Sequence, residues 1–470
     1  MMQEEKNIVI VGGGITGLTA AYQLQKRIKE MDLPYTIKLI EASSRLGGKI
    51  QTIHKDGFTI ERGPDSFLSR KKPAVQLVEE LGLTDQLIQN ATGQSYILVK
   101  NKLHKIPSGS FMGIPTELRS YLFSGLVSTS GKLRASLDYV IPKGKEKTDQ
   151  SLGFFFRRRF GDELVDHLIE PLLSGIYSGD IDEMSLLATF PNFYHLEQKY
   201  GSLVRGLKQT MPKTNKKAKK KSGMFYSFKN GLETVVKALE QELNRQSIVL
   251  NTTVDHIEKK EHVYHVLLDS GDVYKADAVL MATPHNTLSK IFSQYKMFEA
   301  IKDVPSTSVA NVALAFDASA IKKEIYGTGF VVSRNSNFRI TACTWTHRKW
   351  PTSTPLGKVL LRCYVGRPND EEIVDLSDEE IIQVVLKDLN KTMKIRKKPE
   401  FTVITRWKHA MPQYTVGHLE RLEKIRAAMK EKLPGVWIAG SSYEGVGIPD
   451  CIEQGRNAAN HIVEYVMKKL

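Results

Sequence analysis

Apolar and polar residues alternate over residues 7–41 in a way that predicts three successive elements. Residues 7–11 form an almost unbroken apolar run, which is typical of a short strand buried on both faces. The next segment, residues 15–30, has apolar residues at helical spacing: Ile15, Leu18, Ala21, Tyr22, Leu24 and Ile28. Residues 36–41 form a second strand pattern that ends on Glu41. A strand, a helix and a strand in this order predict a βαβ unit in a parallel, doubly wound sheet.

The rest of the chain alternates between helical and strand-rich regions. Proline breaks and helical runs between about 100 and 210 predict a mainly helical insertion. A mixed region follows, with a helix over 232–244, a strand at 248–250 and a hairpin with arms 262–268 and 272–275. The predicted strands after residue 305 are 309–316, 329–333 and 359–365, and the predicted helices are 377–391 and 453–468.

This order predicts an α/β fold with an added helical part, in which one nucleotide-binding domain is interrupted by two others. We expect the nucleotide-binding, Rossmann-like domain to be discontinuous and to comprise residues 1–88, 225–300 and 415–470. A second, strand-rich domain would comprise 89–100 and 301–414, and a helical insertion 101–224. A chain of 470 residues exceeds one ordinary core, so several domains are expected.

The net charge of +15 is concentrated in one segment. Eight cationic residues and no acidic residue lie between Arg205 and Lys221, so the remaining chain carries +15 − 8 = +7. A lysine-rich loop such as 213–221 is usually solvated, and the alternatives are a membrane surface or a protein partner. Nucleic acid is not expected, because no aromatic residues interleave with these lysines.

Cysteine usage and hydropathy predict a cytoplasmic protein without an integral membrane span. The three cysteines, Cys343, Cys363 and Cys451, are widely spaced and form no Cys-x-x-Cys, which argues against a disulfide framework and a metal site. No window approaches the roughly 18 to 20 apolar residues that a span needs. The polar N-terminus lacks the pattern of a signal peptide.

The segment from Gly12 to Gly17 fits the dinucleotide-binding pattern G-x-G-x-x-G between the first strand and the helix. Gly12 would allow the tight turn, Gly14 the approach of a pyrophosphate, and Gly17 close packing of helix and strand. The helix N-terminus offers free N–H groups to phosphates. Glu41 can accept hydrogen bonds from a ribose diol, and an acid there disfavours a cofactor with a 2′-phosphate.

Two further glycine-rich segments favour FAD over NAD. Arg45-Leu46-Gly47-Gly48 lies just after Glu41, where a second close backbone approach suits an extended dinucleotide. A late strand, 436–440, leads through the glycines of 445–450 into a helix whose amides can approach a flavin or its ribityl chain. A simple NAD-binding Rossmann protein has no need for this late element.

Taken together, the motifs resemble those of the porphyrinogen oxidases, within the wider amine oxidase and phytoene desaturase-like flavoproteins. The segments that carry the resemblance over nearly the whole chain are 12–17, 41–43, 45–48, 61–66, 344–346 and 445–452. The chain is most similar to the Gram-positive branch, the oxygen-dependent coproporphyrinogen III oxidases. The resemblance implies oxidation of a porphyrinogen by FAD, with O2 as acceptor and H2O2 as product. It also implies that the discontinuous domain binds FAD and that 89–100 and 301–414 form a substrate domain with an antiparallel sheet. The next haem-pathway enzyme is an expected partner.

The resemblance also implies roles for individual residues. The implied FAD contacts are Gly12, Gly13, Gly14, Ile15, Thr16, Gly17, Glu41, Ala42, Gly48, Lys49, Gly63, Pro64, Asp65, Ser66, Val254, Trp407, Val446, Gly447 and Ile448. Lys49 stands where some mitochondrial relatives have tryptophan. Lys71 lies near the position of an arginine that holds a substrate propionate in those relatives, and its alternative is an ordinary surface lysine.

The substrate pocket is expected to be apolar with a basic rim, because porphyrinogens carry propionates. Ile176 and Tyr364 are candidate pocket walls, with ordinary core positions as the alternative. No side-chain nucleophile is needed and no catalytic triad motif occurs, so no catalytic residue is assigned. The alternatives are a protoporphyrinogen IX oxidase, an amine oxidase or carotenoid desaturase, and a flavin-binding protein without turnover.

Overall fold

The structure is a computed structural model that describes residues 6–117, 121, 123–144, 148–211, 223–322 and 326–470. The lysine-rich segment 213–221 lies outside the described residues. The described strands are β1 (Lys6–Val11), β2 (Tyr35–Ile40), β3 (Thr52–Lys55), β4 (Phe58–Glu61), β5 (Phe67–Leu68), β6 (Leu87–Gln89), β7 (Ser95–Val99), β8 (Lys102–Lys105), β9 (Ser110–Phe111), β10 (Ile114–Pro115), β11 (Phe225–Phe228), β12 (Ile248–Val249), β13 (Val254–Lys260), β14 (Val263–Leu268), β15 (Val273–Ala276), β16 (Ala278–Met281), β17 (Ser306–Asp317), β18 (Gly329–Val332), β19 (Ile340–Trp345), β20 (Lys358–Val365), β21 (Phe401–Pro412) and β22 (Val436–Ile438).

The helices concentrate between residues 129 and 210 and at the end of the chain. The described α-helices are α1 (Ile15–Glu30), α2 (Lys72–Glu80), α3 (Thr129–Ser136), α4 (Leu152–Phe160), α5 (Asp162–Leu164), α6 (Glu170–Tyr177), α7 (Leu186–Thr189), α8 (Pro191–Tyr200), α9 (Leu203–Thr210), α10 (Glu233–Glu242), α11 (Leu288–Ile291), α12 (Glu299–Lys302), α13 (Thr346–Lys349), α14 (Asp378–Met393), α15 (His418–Lys432) and α16 (Ile448–Met467). No described helix has the length and apolar character needed to cross a membrane.

A five-stranded parallel sheet, in the order β12-β2-β1-β16-β22, positions the glycine-rich loop. Alternate residues of β1 point to opposite faces: Ile8 and Ile10 pack with α1, α10 and α16, and Val9 and Val11 pack with the sheet β13-β14-β15 and α15. The predicted βαβ unit is therefore present. The second strand ends at Ile40, one residue earlier than predicted, so Glu41 follows the strand.

The seven-stranded sheet, in the order β21-β17-β20-β19-β18-β7-β8, is mixed rather than antiparallel. Its pair β18 and β7 runs parallel, whereas the other neighbouring strands run antiparallel. Strand β8 belongs to this sheet, although the prediction places the residues after 100 in the helical insertion. Helix α14 covers one face of the sheet and begins with a capping box formed by Ser377 and Glu380.

The helical region has its own apolar cluster, to which α4 and the π-helical turn Val165–Ile169 contribute. Serine side chains at positions 128, 151, 185 and 202 cap α3, α4, α7 and α9. The opposite face of the seven-stranded sheet packs on the β3–β4 hairpin through Phe58 and Ile60. This contact brings the segment after β4, residues 61–66, beside the sheet. The division into three domains stays a prediction.

Candidate cofactor and substrate site

The turn from β1 into α1 has the close packing that its glycines allow. Gly12 has φ +107°, and a Cβ there would lie 2.7 Å from the carbonyl oxygen of Ala282. A Cβ at Gly17 would lie 2.0 Å from the carbonyl oxygen of Gly12. Side chains at these two positions would therefore push strand and helix apart. Ile15 and Thr16, in the first turn of the helix, are buried.

Gly14 differs from its neighbours because its free side faces open space. A Cβ there would meet no described atom within 4 Å. Gly14 is also the N-cap of α1, and no side chain in the described part of the chain caps the helix. The first N–H groups of the helix are thus available to an external acceptor, and the helix dipole favours an anion there. This arrangement fits the pyrophosphate of a dinucleotide.

Glu41 is held at the end of β2 by backbone donors. Its Oε2 accepts a hydrogen bond from the Gly13 N–H at 2.7 Å, and its Oε1 accepts one from the Ser43 N–H at 2.9 Å. The backbone of Thr252 donates to the Glu41 carbonyl, and this contact leads into β13, where Val254 is buried. Ala42, beside them, is exposed. The carboxylate therefore has a fixed orientation beside the glycine loop, as the binding of a ribose diol requires.

The second glycine segment packs directly on the first. Gly47 N–H donates to the Gly13 carbonyl at 2.8 Å, and a Cβ at Gly48 would lie 3.2 Å from the Gly14 Cα. Arg45 fixes the turn, because its guanidinium donates to the carbonyls of Leu46 and Gly48 at 2.6 and 2.5 Å. Gly48 itself is exposed. The structure thus brings Gly12–Gly17, Glu41 and Gly48 together.

Lys49 reaches from this loop towards the large sheet. Its Nζ donates to the Ala410 carbonyl on β21, and burial lowers the pKa of the Lys49 ammonium. The Lys49 backbone meets the segment after β4, because a Cβ at Gly63 would lie 1.9 Å from the Lys49 carbonyl oxygen. Trp407 lies at the same junction and donates from Nε1 to the Arg62 carbonyl at 2.9 Å.

Asp65 lies in a buried cluster of charges. Lys349 Nζ lies 2.8 and 2.9 Å from its two carboxylate oxygens, and Arg362 Nη1 lies 3.3 Å from Oδ2. Burial alone would raise the pKa of Asp65, but Lys349 and Arg362 hold it well below its ordinary value. Ser66 donates to the same carboxylate at 2.7 Å, and Pro64 beside it is half-buried. The Asp65 side chain therefore serves to fix the 63–66 segment.

Glu61, four residues earlier, has the opposite electrostatic environment. Burial raises its pKa to about 7, although the Leu232 N–H and the Thr52 hydroxyl donate to it at 2.7 and 2.8 Å. Arg362 is fully buried, and its Nη2 donates to the Gly63 carbonyl at 2.7 Å. Arg362 and Lys349 were not predicted. The sequence feature that could have identified Arg362 is its position as a single arginine within the apolar strand 358–365.

The late glycine segment lies near the other end of the chain and leads into a helix that packs on α1. Helix α16 begins at Ile448, five residues earlier than predicted, with Gly447 as an N-cap that no side chain assists. A Cβ at Gly455 would lie 2.5 Å from the Thr16 carbonyl oxygen, so α16 packs closely on α1. Val446, just before the helix, packs against the helical region. Two uncapped helix N-termini, at Gly14 and Gly447, thus belong to one packed pair of helices.

The three residues predicted to contact substrate lie on different elements. Lys71 Nζ forms an ion pair with Asp450 Oδ1 at 2.6 Å, and 44% of the Lys71 side chain is exposed. Ile176, near the end of α6, is 42% exposed, which disfavours the alternative of a core position. Tyr364 on β20 is half-buried, and the Arg362 guanidinium lies 5.6 Å from its ring centroid. Their shared contact with a substrate stays a prediction.

Comparisons with known proteins identify the family of this chain. The chain matches the model of the flavin-containing amine oxidoreductases over residues 15–463. It is 52% identical to the coproporphyrinogen III oxidase of Bacillus subtilis (strain 168), covering 99% of this chain and 100% of the relative. It is 43% identical to the coproporphyrinogen III oxidase of Staphylococcus aureus (strain NCTC 8325 / PS 47), covering 97% and 99%.

A solved structure supports the same assignment. The protein from Exiguobacterium sp. 255-15, provisionally named a protoporphyrinogen oxidase, is 39% identical, with a TM-score of 0.87 over 98% of this chain and 99% of that one. The predicted FAD cofactor, oxidoreductase class and family are thereby confirmed. The chain belongs to the flavin-containing amine oxidoreductase family, in the branch that contains the coproporphyrinogen III oxidases.

Proposed function

We propose that this chain oxidises coproporphyrinogen III to coproporphyrin III, with FAD as cofactor, O2 as electron acceptor and H2O2 as the second product. The observation that carries the proposal is 52% identity to a coproporphyrinogen III oxidase along the whole of both chains. The fit of the glycine loop, Glu41 and Gly48 to a dinucleotide supports it, because these residues form the site that the cofactor requires.

Oxidation of a porphyrinogen removes six electrons and six protons from the macrocycle. When bound, FAD supplies the two-electron acceptor that side chains lack, so about three cycles complete the reaction and reduce three O2 to three H2O2. The chain itself binds the macrocycle, orients one bridge carbon towards the cofactor and keeps water away. The rigid segment 63–66, held by Arg362 and Lys349 through Asp65, is suited to positioning.

The cofactor contacts in this proposal are the residues implied by the resemblance, from the glycine loop to Val446–Ile448. The α1 N-terminus would face the pyrophosphate and Glu41 the adenosine ribose. Lys49, Trp407 and the start of α16 would lie nearer the flavin. Lys49 is apt because its Nζ, which donates to the Ala410 carbonyl, has further donors for the cofactor. Lys71, Ile176 and Tyr364 are the proposed substrate contacts.

The proposal is tested with the purified holoprotein in air. We expect a flavin absorption spectrum, porphyrin fluorescence from coproporphyrinogen III, and peroxide in a ratio of about three per porphyrin. Replacing air by argon should stop peroxide formation and limit turnover to the bound flavin. The matched control is Gly17→Val, which should lose FAD because of the clash with the Gly12 carbonyl. Flavin binding without porphyrin formation above the spontaneous rate would reject the proposal.

Protoporphyrinogen IX is the alternative substrate, and the provisional name of the Exiguobacterium protein favours testing it. The two substrates are offered separately, and the ratio of their kcat/KM values decides between them. A preference for protoporphyrinogen IX would replace the proposed substrate. Turnover of neither would return attention to amine oxidase or desaturase chemistry, or to a flavin-binding protein without turnover.

We further propose a cytoplasmic location and a transient complex with the next haem-pathway enzyme. The excess positive charge of segment 213–221 supports docking on an acidic partner or on an anionic membrane surface. Deleting residues 213–221 should weaken the capture of the partner enzyme and leave the oxidation rate unchanged. Unchanged capture, combined with loss of binding to anionic vesicles, would favour the membrane.

A further inference from the structure

A cavity of about 420 Å³ opens at one end of the seven-stranded sheet, outside the residues assigned to FAD. The residues that line it are Arg334, Arg339, Arg367, Pro368, Asn369 and Asp370. Its wall thus carries three guanidinium groups and a single carboxylate. Arg334 is paired with Asp180 and Glu170 and Arg339 with Asp370, so Arg367 carries the planar cationic donors that could meet a carboxylate ligand here.

The hydrogen bonds of these arginines leave donors unused. Arg339 donates from Nε and Nη2 to Asp370 at 3.1 and 2.6 Å, and Arg334 donates from Nη1 to both oxygens of Asp180 at 3.2 Å. The nearest carboxylate oxygen to Arg367 is that of Asp370, 3.9 Å from Nε, which is too far for a hydrogen bond. Within the described part of the chain, Arg367 therefore has its whole guanidinium fork available. About a quarter of its side chain is exposed.

The cavity adjoins both elements that carry the predicted pocket walls. Arg367 follows β20, three residues after Tyr364. Arg334 joins the sheet to helix α6, because its Nε lies 3.4 Å from Oε1 of Glu170, the first residue of that helix. The same helix carries the exposed Ile176 near its other end. The arginines thus lie where the large sheet meets the helical region.

We propose that this arginine cavity binds a propionate that coproporphyrinogen III carries and protoporphyrinogen IX lacks. The inference rests on the proposed function. Coproporphyrinogen III has four propionates, whereas protoporphyrinogen IX has two propionates and two vinyl groups. A vinyl group at the cavity gives the Arg367 guanidinium no hydrogen-bond partner, so the cavity selects the tetracarboxylate. Arg367 is the principal specificity-determining residue, because its donors are free.

The test compares Arg367→Gln with the wild-type holoenzyme on both substrates. We expect kcat/KM for coproporphyrinogen III to fall by about ten- to a hundredfold, mainly through KM, because a charge-assisted hydrogen bond is lost. For protoporphyrinogen IX the value should change by less than about twofold. Arg367→Lys should recover part of the loss, since it restores charge without the fork. The dissociation constants of the two porphyrin products, measured by fluorescence, should follow the same order.

Arg396→Gln is the matched control, because Arg396 is an exposed arginine in the same half of the chain that does not line the cavity. It should leave both kcat/KM values unchanged. An unchanged substrate ratio in Arg367→Gln, or an equal loss for both substrates, would overturn the inference while the proposed function stands. Failure of the wild-type enzyme to oxidise coproporphyrinogen III would instead remove the proposed function and, with it, this inference.

Discussion

Two arginines on one strand and the loop that follows it have opposite environments. Arg362, within β20, is fully buried; its Nη2 bonds the Gly63 carbonyl, and its Nη1 lies 3.3 Å from the Asp65 carboxylate. Arg367, five residues later, lies beside a cavity, and its guanidinium makes no hydrogen bond within the described residues. A buried cation must be compensated by the protein itself, whereas an exposed cation can keep its donors for a ligand. The first arginine therefore builds the site, and the second can select what enters it.

The largest expected effect comes from replacing Arg362, the buried arginine of this pair. Arg362→Met should lower the free energy of unfolding by about 3–5 kcal/mol, because Asp65 loses one of its two cationic partners in a buried setting. The segment 63–66 should loosen, and FAD content should fall with it. Denaturant unfolding and the flavin-to-protein absorbance ratio measure the two effects. A loss below about 1 kcal/mol would mean that the cluster is open to water.

Glu61 extends the comparison to a buried acid, because no cation among the described residues is in direct contact with it. Its folded-state pKa of about 7 lies above the ordinary value of 4.5. Its contribution to stability is therefore fully present below pH 4.5 and is lost as the pH rises through 7. Relative to Glu61→Gln, the wild-type protein should lose about 2–3 kcal/mol of unfolding free energy between pH 5 and pH 8. If the free energy of unfolding changed with pH to the same extent in both proteins, this expectation would be contradicted.

Arg339 offers the exposed counterpart of Arg362. Its two hydrogen bonds to Asp370 resemble a strong ion pair, but 43% of the Arg339 side chain is exposed. Arg339→Gln should therefore cost less than about 1 kcal/mol of unfolding free energy, because solvent screens the pair. Thermal unfolding beside Arg362→Met gives the direct contrast. Equal losses in the two variants would remove the distinction between a structural and a ligand-facing arginine.

The smallest expected effect concerns Lys71, a single exposed ammonium. Lys71→Gln breaks the half-exposed ion pair with Asp450, so stability should change by less than about 0.5 kcal/mol. If Lys71 contacts a propionate that both porphyrinogens share, KM should rise severalfold for both substrates without a change in their ratio. Asp450→Asn separates the loss of the ion pair from the loss of the cation. Unchanged KM values would identify Lys71 as an ordinary surface lysine.

Local patterns predicted the elements that form the glycine loop. Helix α1 spans Ile15–Glu30 as expected, because its apolar spacing and the preceding glycines are encoded within one segment. Strand β21 was not predicted, since its charged and half-buried residues become strand-like only by pairing along β17. Helix α15 was also missed: it is mostly polar, and a few residues bury its inner face.

The charge clusters could not be predicted because they join distant parts of the chain. Asp65 meets Lys349 and Arg362 only after the β3–β4 hairpin has packed on the large sheet. The arginine cavity likewise combines the β18–β19 loop with the loop after β20. Residue spacing along the sequence carries no information on such contacts. A basic rim could be expected from the carboxylates of the substrate. Its proposed position could not be predicted from the sequence, because the arginines come together only in the fold.

The packing of α16 on α1 has a consequence for biosynthesis. Thr16 and the glycine loop leave the ribosome early, whereas Gly455, which packs against Thr16, is translated more than four hundred residues later. Strand β22, at the edge of the nucleotide-binding sheet, is also translated late. A nascent chain thus exposes half of a nucleotide pocket for most of its synthesis. We therefore expect tight FAD binding only after α16 has been synthesised and has packed on α1, so that the amount of holoprotein depends on the flavin available at that stage.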